Sequence, residues 1–429
     1  MKKFLCKFGS VALAAVMPLS LLACGNPDNG GTGGGGTGGE VEDPPEVVDK
    51  WEAPQGSFTH SDKIMYVKDL GYCTGENAFV DTTKYNMTST DLGFPFYDSE
   101  LKRLYVAFGD TNNNKVQGGG NEFQSNVTLY TDNLDFSKGI KWTGALDGQN
   151  GATRQVTPLA QRIVDVNTRY WGDLTVGDVT CSEVNSTIPT GVLVLDGTYY
   201  MWYMETSNFE DTGEWIVYRN CVVKSADKGK TWSKVNGLNW VCRDADNKEG
   251  IAPNFGQIYP MDGNDGYVYI YGIPGGRQGG VKLGRVAYEN IENFEEYEYF
   301  RKENADGTVD WRKGSNGLKN IKTNTTTSYI VPPMCGELCV TYNAYLQRYI
   351  MTYMQGNTSI VVRRSKTPWG KWSDSDVIIN QSDLPQLYGG FTNQALMTHD
   401  GKRMYMFVSE WYKENGQGYN VHFVEVVFN

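Results

Sequence analysis

Histidine is nearly absent: the 429 residues contain three, His60, His399 and His422. There is no HExxH pattern, so a histidine-built metal centre has no basis in the sequence. His399 lies in the turn Thr398-His399-Asp400-Gly401 and His422 in a terminal strand pattern, which leaves no Ser-His-Asp arrangement to assemble. Positive charge is also scarce. With 39 Lys and Arg against 50 Asp and Glu, the net charge of −11 opposes nucleic acid and anionic membrane surfaces as partners. Beyond the N-terminus no apolar run is long enough to cross a bilayer. No helix of useful length is evident, and residues 291 to 300 read as one or two turns. Gly25 to Gly39 is glycine-rich but lacks the Lys-Ser/Thr ending of a phosphate loop. No cofactor is expected, although calcium held by oxygens is compatible with the composition.

The first segment carries Lys2, Lys3 and Lys7, an apolar run from Val11 to Leu22, and then Leu21-Leu22-Ala23-Cys24. That order reads as an export signal whose ending resembles a bacterial lipobox, with cleavage before Cys24 and a lipid on its thiol. The chain therefore divides into a signal at 1–23, a lipidated and flexible tether at 24–57, and a folded body at 58–429. The expectation is an exported bacterial lipoprotein, periplasmic or on the cell surface, monomeric and held to the membrane by its N-terminal lipid alone. Six further cysteines, Cys73, Cys181, Cys221, Cys242, Cys335 and Cys339, allow up to three disulfides, with Cys221–Cys242 the favoured pair.

What the chain has in quantity is the β-hairpin. Asp91-Leu92-Gly93-Phe94-Pro95-Phe96 and Leu104 to Thr111 flank a polar turn, and the second run is aromatic and β-branched. Similar units follow: Pro189 to Leu195 with Tyr199 to Glu205, Asn254 to Tyr259 with Tyr267 to Gly272, Gly336 to Val340 with Tyr349 to Gln355, and Gly390 to Leu396 with Met404 to Trp411. Five hairpin units in one chain predict an all-β fold, a five-bladed β-propeller. Residues 64 to 70 are apolar enough to complete the last blade beside the strand-like 421–428. Ser225-Ala226-Asp227-Lys228-Gly229-Lys230-Thr231-Trp232 matches the Asp-box SxDxGxTW, a structural turn of sialidase-like propellers.

In a propeller the leading ends of inner strands and the trailing ends of the next strands share one face. Asp91, Asp110, Glu205, Glu337 and Glu410 would then ring one mouth. A turn centred on Glu100 and Leu101 sets residue 91 opposite residue 110, and like charges held so close titrate apart, one as acid and one as base. Arg277, in Pro274-Gly275-Gly276-Arg277, is placed to fork onto sugar hydroxyls or orient a carboxylate, with the glycines admitting a ligand close to the backbone. Trp202, Tyr388 and Trp411 are candidates for stacking on sugar faces. The polar loop 112–120 after Asp110 reads as a substrate lip.

These strings resemble the DUF4185 family, whose members include the endo-acting D-arabinanases of glycoside hydrolase family 183. The resemblance rests on Asp91-Leu92-Gly93 with Phe108-Gly109-Asp110-Thr111, Pro189-Thr190-Gly191 with Trp202-Tyr203-Met204, Tyr269-Ile270-Tyr271-Gly272, Gly275-Gly276-Arg277, Gly279-Gly280-Val281, Gly336-Glu337-Leu338, Thr367-Pro368-Trp369-Gly370 and Leu387-Tyr388-Gly389-Gly390, in family order from residue 86 to 427. It implies a five-bladed propeller that hydrolyses D-arabinofuranosyl linkages of bacterial cell-wall arabinan with inversion. Inversion needs one protonated acid at the leaving oxygen and one carboxylate activating water. Asp91 and Asp110 fit those roles, with Glu337 as the alternative acid, and Glu205 and Glu410 bind sugar or tune the pair. The competing readings are a surface propeller that binds glycan without cutting it, and an exo-acting glycosidase on another sugar.

Overall fold

The computed structural model describes residues 51–112, 124–146, 186–211, 213–243, 248–323, 328–411 and 419–429. Glu52 to Asn429 forms one compact unit. After β1 (Ile64–Tyr72), blade one is β2 (Leu92–Asp98), β3 (Arg103–Phe108), β4 (Val127–Thr131) and β5 (Gly144–Ala145). Blade two is β6 (Ser186–Leu195), β7 (Thr198–Asp211), β8 (Glu214–Ser225) and β9 (Ser233–Val241). Blade three is β10 (Gln257–Asp262), β11 (Tyr267–Ile273), β12 (Lys282–Ala287), β13 (Glu298–Glu303) and β14 (Val309–Lys313), followed by the helix α1 (Gly314–Thr323). Blade four is β15 (Cys335–Asn343), β16 (Arg348–Gln355), β17 (Ser359–Ser365) and β18 (Asp376–Asn380). Blade five contains β19 (Leu387–Phe391), the short β20 (Met397–Thr398), β21 (Arg403–Glu410) and β22 (Asn420–Phe428).

The fold is the expected five-bladed β-propeller. Its ring closes through β1, which pairs antiparallel with β22 from Ile64↔Phe428 to Tyr72↔His422. The join of the two ends of the body satisfies an edge that would otherwise be open.

Alternation along each strand assigns side chains to the two faces of a blade. On β7, Tyr199, Met201 and Tyr203 enter one core layer while Tyr200 and Trp202 enter the next, against Trp240, Phe255 and Ile270. Trp202 is fully buried there. It fills the seam between blades two and three, and its expected contact with sugar is thereby excluded.

The Asp-box forms the turn from β8 to β9, as expected. The Asp227 carboxylate accepts hydrogen bonds from the Thr231 N–H (2.8 Å), the Thr231 hydroxyl (2.6 Å) and the Ser225 hydroxyl (2.8 Å). Trp232 donates to the Gly229 carbonyl and packs on the core.

Two expectations fail. The described cysteines, Cys73, Cys221, Cys242, Cys335 and Cys339, are buried free thiols. The favoured Cys221–Cys242 pair is absent because Cys242 donates to the Trp240 and Ala252 carbonyls, while Cys221 faces Glu205. The helix α1 was not foreseen, since Gly-Ser-Asn-Gly offers little local signal. Its first turn is instead capped from outside, by the Glu295 carboxylate accepting from the Ser315 N–H and hydroxyl. Cys24, Cys181, the signal, the tether up to residue 50 and most of the loop 112–120 lie outside the described residues.

Candidate active site

The β2–β3 hairpin does not run in simple register. Leu92 pairs with Phe108 but Phe94 pairs with Ala107, so Gly93 is the extra residue of a bulge. Leu92 has φ +61° and Gly93 has φ +138°. The freed Leu92 N–H donates to the Ser409 hydroxyl at 2.7 Å, tying the bulge to blade five. Consequently Asp91 faces Gly109 rather than Asp110: the Gly109 N–H donates to the Asp91 carbonyl at 3.0 Å. A Cβ at position 109 would lie 2.3 Å from Asp91 Oδ1, which explains the glycine there. Asp110 is set one residue further on, so the two carboxylates are offset rather than directly opposed.

Both nevertheless reach the same cavity. Asp91, Asp110, Glu337, Arg277, Tyr388 and Trp411 line it together, so six of the nine propeller residues proposed from sequence converge. They do so because each lies at the leading or trailing end of an inner hairpin on the same face of the ring. The cavity bounded by described residues is small, about 60 Å³, roughly the share of two waters in the liquid. Trp411, at its rim, is 41% exposed.

Asp91 is 7% exposed and Asp110 8%. Burial, then the neighbouring charges of Asp110 and Glu337, push the Asp91 carboxyl up to about 8. Its Oδ2 accepts from the Tyr388 hydroxyl at 2.9 Å, which favours the ionised form only in part. The buried Tyr419 hydroxyl likewise opposes the rise. Burial pushes Asp110 up too, to about 6, opposed by the Ser186 hydroxyl that donates to its Oδ1 at 2.6 Å. Two carboxyls buried in one cavity resist ionising together, so they lose their protons in separate steps, with Asp91 raised further than Asp110.

Glu337 has a different character. Arg277 donates Nε to its Oε2 at 2.9 Å and Nη2 to its Oε1 at 2.7 Å, a bidentate pair. Arg277 also donates to Asn357 and lies over the Trp215 and Tyr388 rings, with centroids at 5.5 and 5.2 Å. Both oxygens of Glu337 are thereby engaged by the guanidinium, and its charge is among those that act on Asp91. The glycines before Arg277 serve packing rather than ligand approach: a Cβ at Gly275 would meet the Trp215 carbonyl at 2.6 Å and one at Gly276 the Gly213 carbonyl at 2.7 Å.

Glu205 and Glu410 do not join the site. Glu205 stands directly across from Arg219 on β8 and pairs with it inside blade two. Glu410 is fully buried in blade five, where it accepts from the Tyr72 hydroxyl and lies 3.4 Å from His422 Nε2. Each is buried with a partner of its own blade, so the expected role in sugar binding is not supported by position. Ser186, Thr190, Trp215 and Gln257, by contrast, reach the site and were not singled out as functional. Thr190, Trp215 and Gln257 line the cavity, and Gln257 holds the glycine turn through the Pro274 and Gly276 carbonyls. The strings around positions 190 and 257 carried a signal. Trp215 and Ser186 had none, because only blade packing brings them in.

Among the described residues no group of three or more His, Cys, Asp or Glu is arranged to hold a metal ion.

Residues 77–425 match DUF4185, a domain of unknown function. The chain belongs to that family. Two fungal proteins are similar to it over most of their length. Notoamide biosynthesis cluster protein J of Aspergillus sp. (strain MF297-2) is 26% identical over 336 residues, covering 76% of this chain and 81% of its own. Protein J' of Aspergillus versicolor is 25% identical over 334 residues, covering 76% and 82%. Among solved structures, a protein of Bacteroides ovatus ATCC 8483 provisionally assigned as a hydrolase superposes with a TM-score of 0.52 at 13% identity, covering 86% of this DUF4185 chain and 93% of that one. That likeness is one of fold.

Proposed function

We propose that this DUF4185 protein is an inverting glycoside hydrolase. The observation that carries the reading is the buried pair Asp91 and Asp110, which line one cavity with carboxyls raised to about 8 and about 6. Asp91 donates its proton to the leaving glycosidic oxygen as the C–O bond breaks. Asp110 takes a proton from the water that forms the new bond to the anomeric carbon from the other side. One turnover leaves Asp91 ionised and Asp110 protonated, and exchange with solvent restores both. Trp411, exposed beside the cavity, offers a face to the sugar ring.

The resemblance to endo-acting D-arabinanases makes an arabinofuranosyl polymer the substrate of choice. The lipobox-like Leu21-Leu22-Ala23-Cys24 supports an exported, lipid-anchored enzyme meeting that polymer outside the cytoplasm. Purified protein incubated with a panel of arabinans, xylans and galactans should release new reducing ends from D-arabinan, of the inverted anomer by NMR. Asp110→Asn should abolish release while the chain stays folded. A folded Asp110→Asn protein that cuts at a near-normal rate would remove this mechanism.

A second reading, a propeller that holds glycan without cutting it, fits the same exposed Trp411 at the cavity. Retention on arabinan without new reducing ends would favour it.

A further inference from the structure

The cavity at Asp91 and Asp110 is not the larger of the two described on the axis of the blades. At the other end of the inner strands lies a cavity of about 600 Å³, within the range of small-molecule and saccharide sites and far above the 60 Å³ at the carboxylates. It is lined by the far ends of β2, β6, β10 and β15 and by the residues after β19. Pro95, the nearest residue of β2 in this lining, is four positions beyond Asp91, or about 13 Å at the rise of a strand. A ligand in one cavity therefore does not touch the carboxylates of the other.

The lining has a definite chemistry. Blade two contributes an apolar wall, Val192 to Val194. The other blades contribute Tyr97, Asp262 with Asn264, Tyr342, and Asn393 with Gln394. Among the described lining residues none is lysine or arginine, so nothing there compensates a phosphate or carboxylate, and the chain's own charge of −11 repels one. Several of these groups are held in place by the protein. Asp262 accepts from the Tyr288 hydroxyl and from the Asn264 N–H, Asn393 accepts from the Ala395 N–H at 3.0 Å, and Gln394 donates to the Tyr342 carbonyl at 3.3 Å. The Tyr342 ring is braced edge-on by Tyr349 at 5.2 Å. Ordering costs on binding are correspondingly low.

An apolar wall facing fixed amides, phenols and hydroxyls, without a cation, suits a neutral polyhydroxylated ring, which has one C–H face and a rim of hydroxyls. We propose that this second mouth is a non-catalytic binding site for a neutral glycan. It would engage a stretch of polymer other than the one at Asp91 and Asp110, raising the local concentration of chain for the first mouth. The proposal goes beyond the hydrolase reading and depends on it only for the choice of probe.

The test uses the full chain carrying Asp110→Asn, so that no probe is consumed, and measures retention on immobilised arabinan, xylan and galactan. Val194→Arg places a long charged side chain in the mouth. Asn264→Gly removes an amide at an exposed position whose φ is +54°, where glycine is free of strain. Each should weaken retention about tenfold or more, while the same changes in the Asp110-bearing chain leave turnover of a short soluble oligosaccharide unaltered. Retention unchanged in both variants, or no retention of any of the three polymers, overturns the proposal. Retention that is lost in the variants of a chain showing no turnover at all would sink the hydrolase reading and leave this site standing.

Discussion

Replacing Asp91 by asparagine should inactivate the protein and, at alkaline pH, stabilise it. A buried carboxyl whose value rises from 3.8 unfolded to about 8 folded binds a proton in the native state that the unfolded chain has already released. The linked stability is therefore complete below about pH 3.8 and is lost as pH rises through about 8. The loss is about 1.4 kcal/mol for each pH unit between, or about 6 kcal/mol as an upper bound over the whole interval. Water at the cavity reduces that figure, and about 2–4 kcal/mol is the working expectation. Asparagine keeps the shape and does not titrate, and the Tyr388 hydroxyl can still donate to its amide oxygen. Urea denaturation of both proteins at each unit from pH 5 to pH 9 gives the comparison. The stability difference should move steadily towards Asp91→Asn up to about pH 8 and then level off. Parallel curves, with the variant weaker by a constant amount, would refute the claim that Asp91 is held neutral by its surroundings and with it the choice of Asp91 as acid.

Ser186→Ala removes the hydroxyl that supports ionised Asp110, so the acid limb of the pH–rate profile should shift upward by up to about one unit, read from kcat/KM against pH. Gly109→Ala would set a Cβ 2.3 Å from Asp91 Oδ1. Displacing the carboxyl should lower kcat about 100-fold or more, with folding checked by circular dichroism. Glu337→Gln strips the counter-charge from buried Arg277 and should cost about 3–5 kcal/mol in a denaturant melt. A loss of activity without that loss of stability would instead return Glu337 to the reacting groups.

Much of the site was legible because hairpin grammar is local. Asp91, Asp110, Glu337, Arg277 and Tyr388 sit at strand ends that any five-bladed arrangement brings to one mouth. Trp202, Glu205 and Glu410 followed the same grammar and went elsewhere. Trp202 belongs to the alternate set on β7 that meets blade three. Glu205 has an arginine directly across its ladder, and Glu410 is met by a tyrosine from β1 and a histidine from β22. Which face a strand residue shows, and what stands opposite, depends on the neighbouring blade.

By itself the sequence determined the number of blades, the closure of the ring by its two ends and the Asp-box turn. All of these follow from β propensity, turn residues and two-residue alternation within short windows. Tertiary structure alone decided the Gly93 bulge that offsets Asp110 from Asp91, the clamp on Glu337, the external cap on α1 and the unequal size of the two mouths. Those depend on contacts between residues tens to hundreds of positions apart, where burial and charge are set by the packing of blades and no local pattern carries the information.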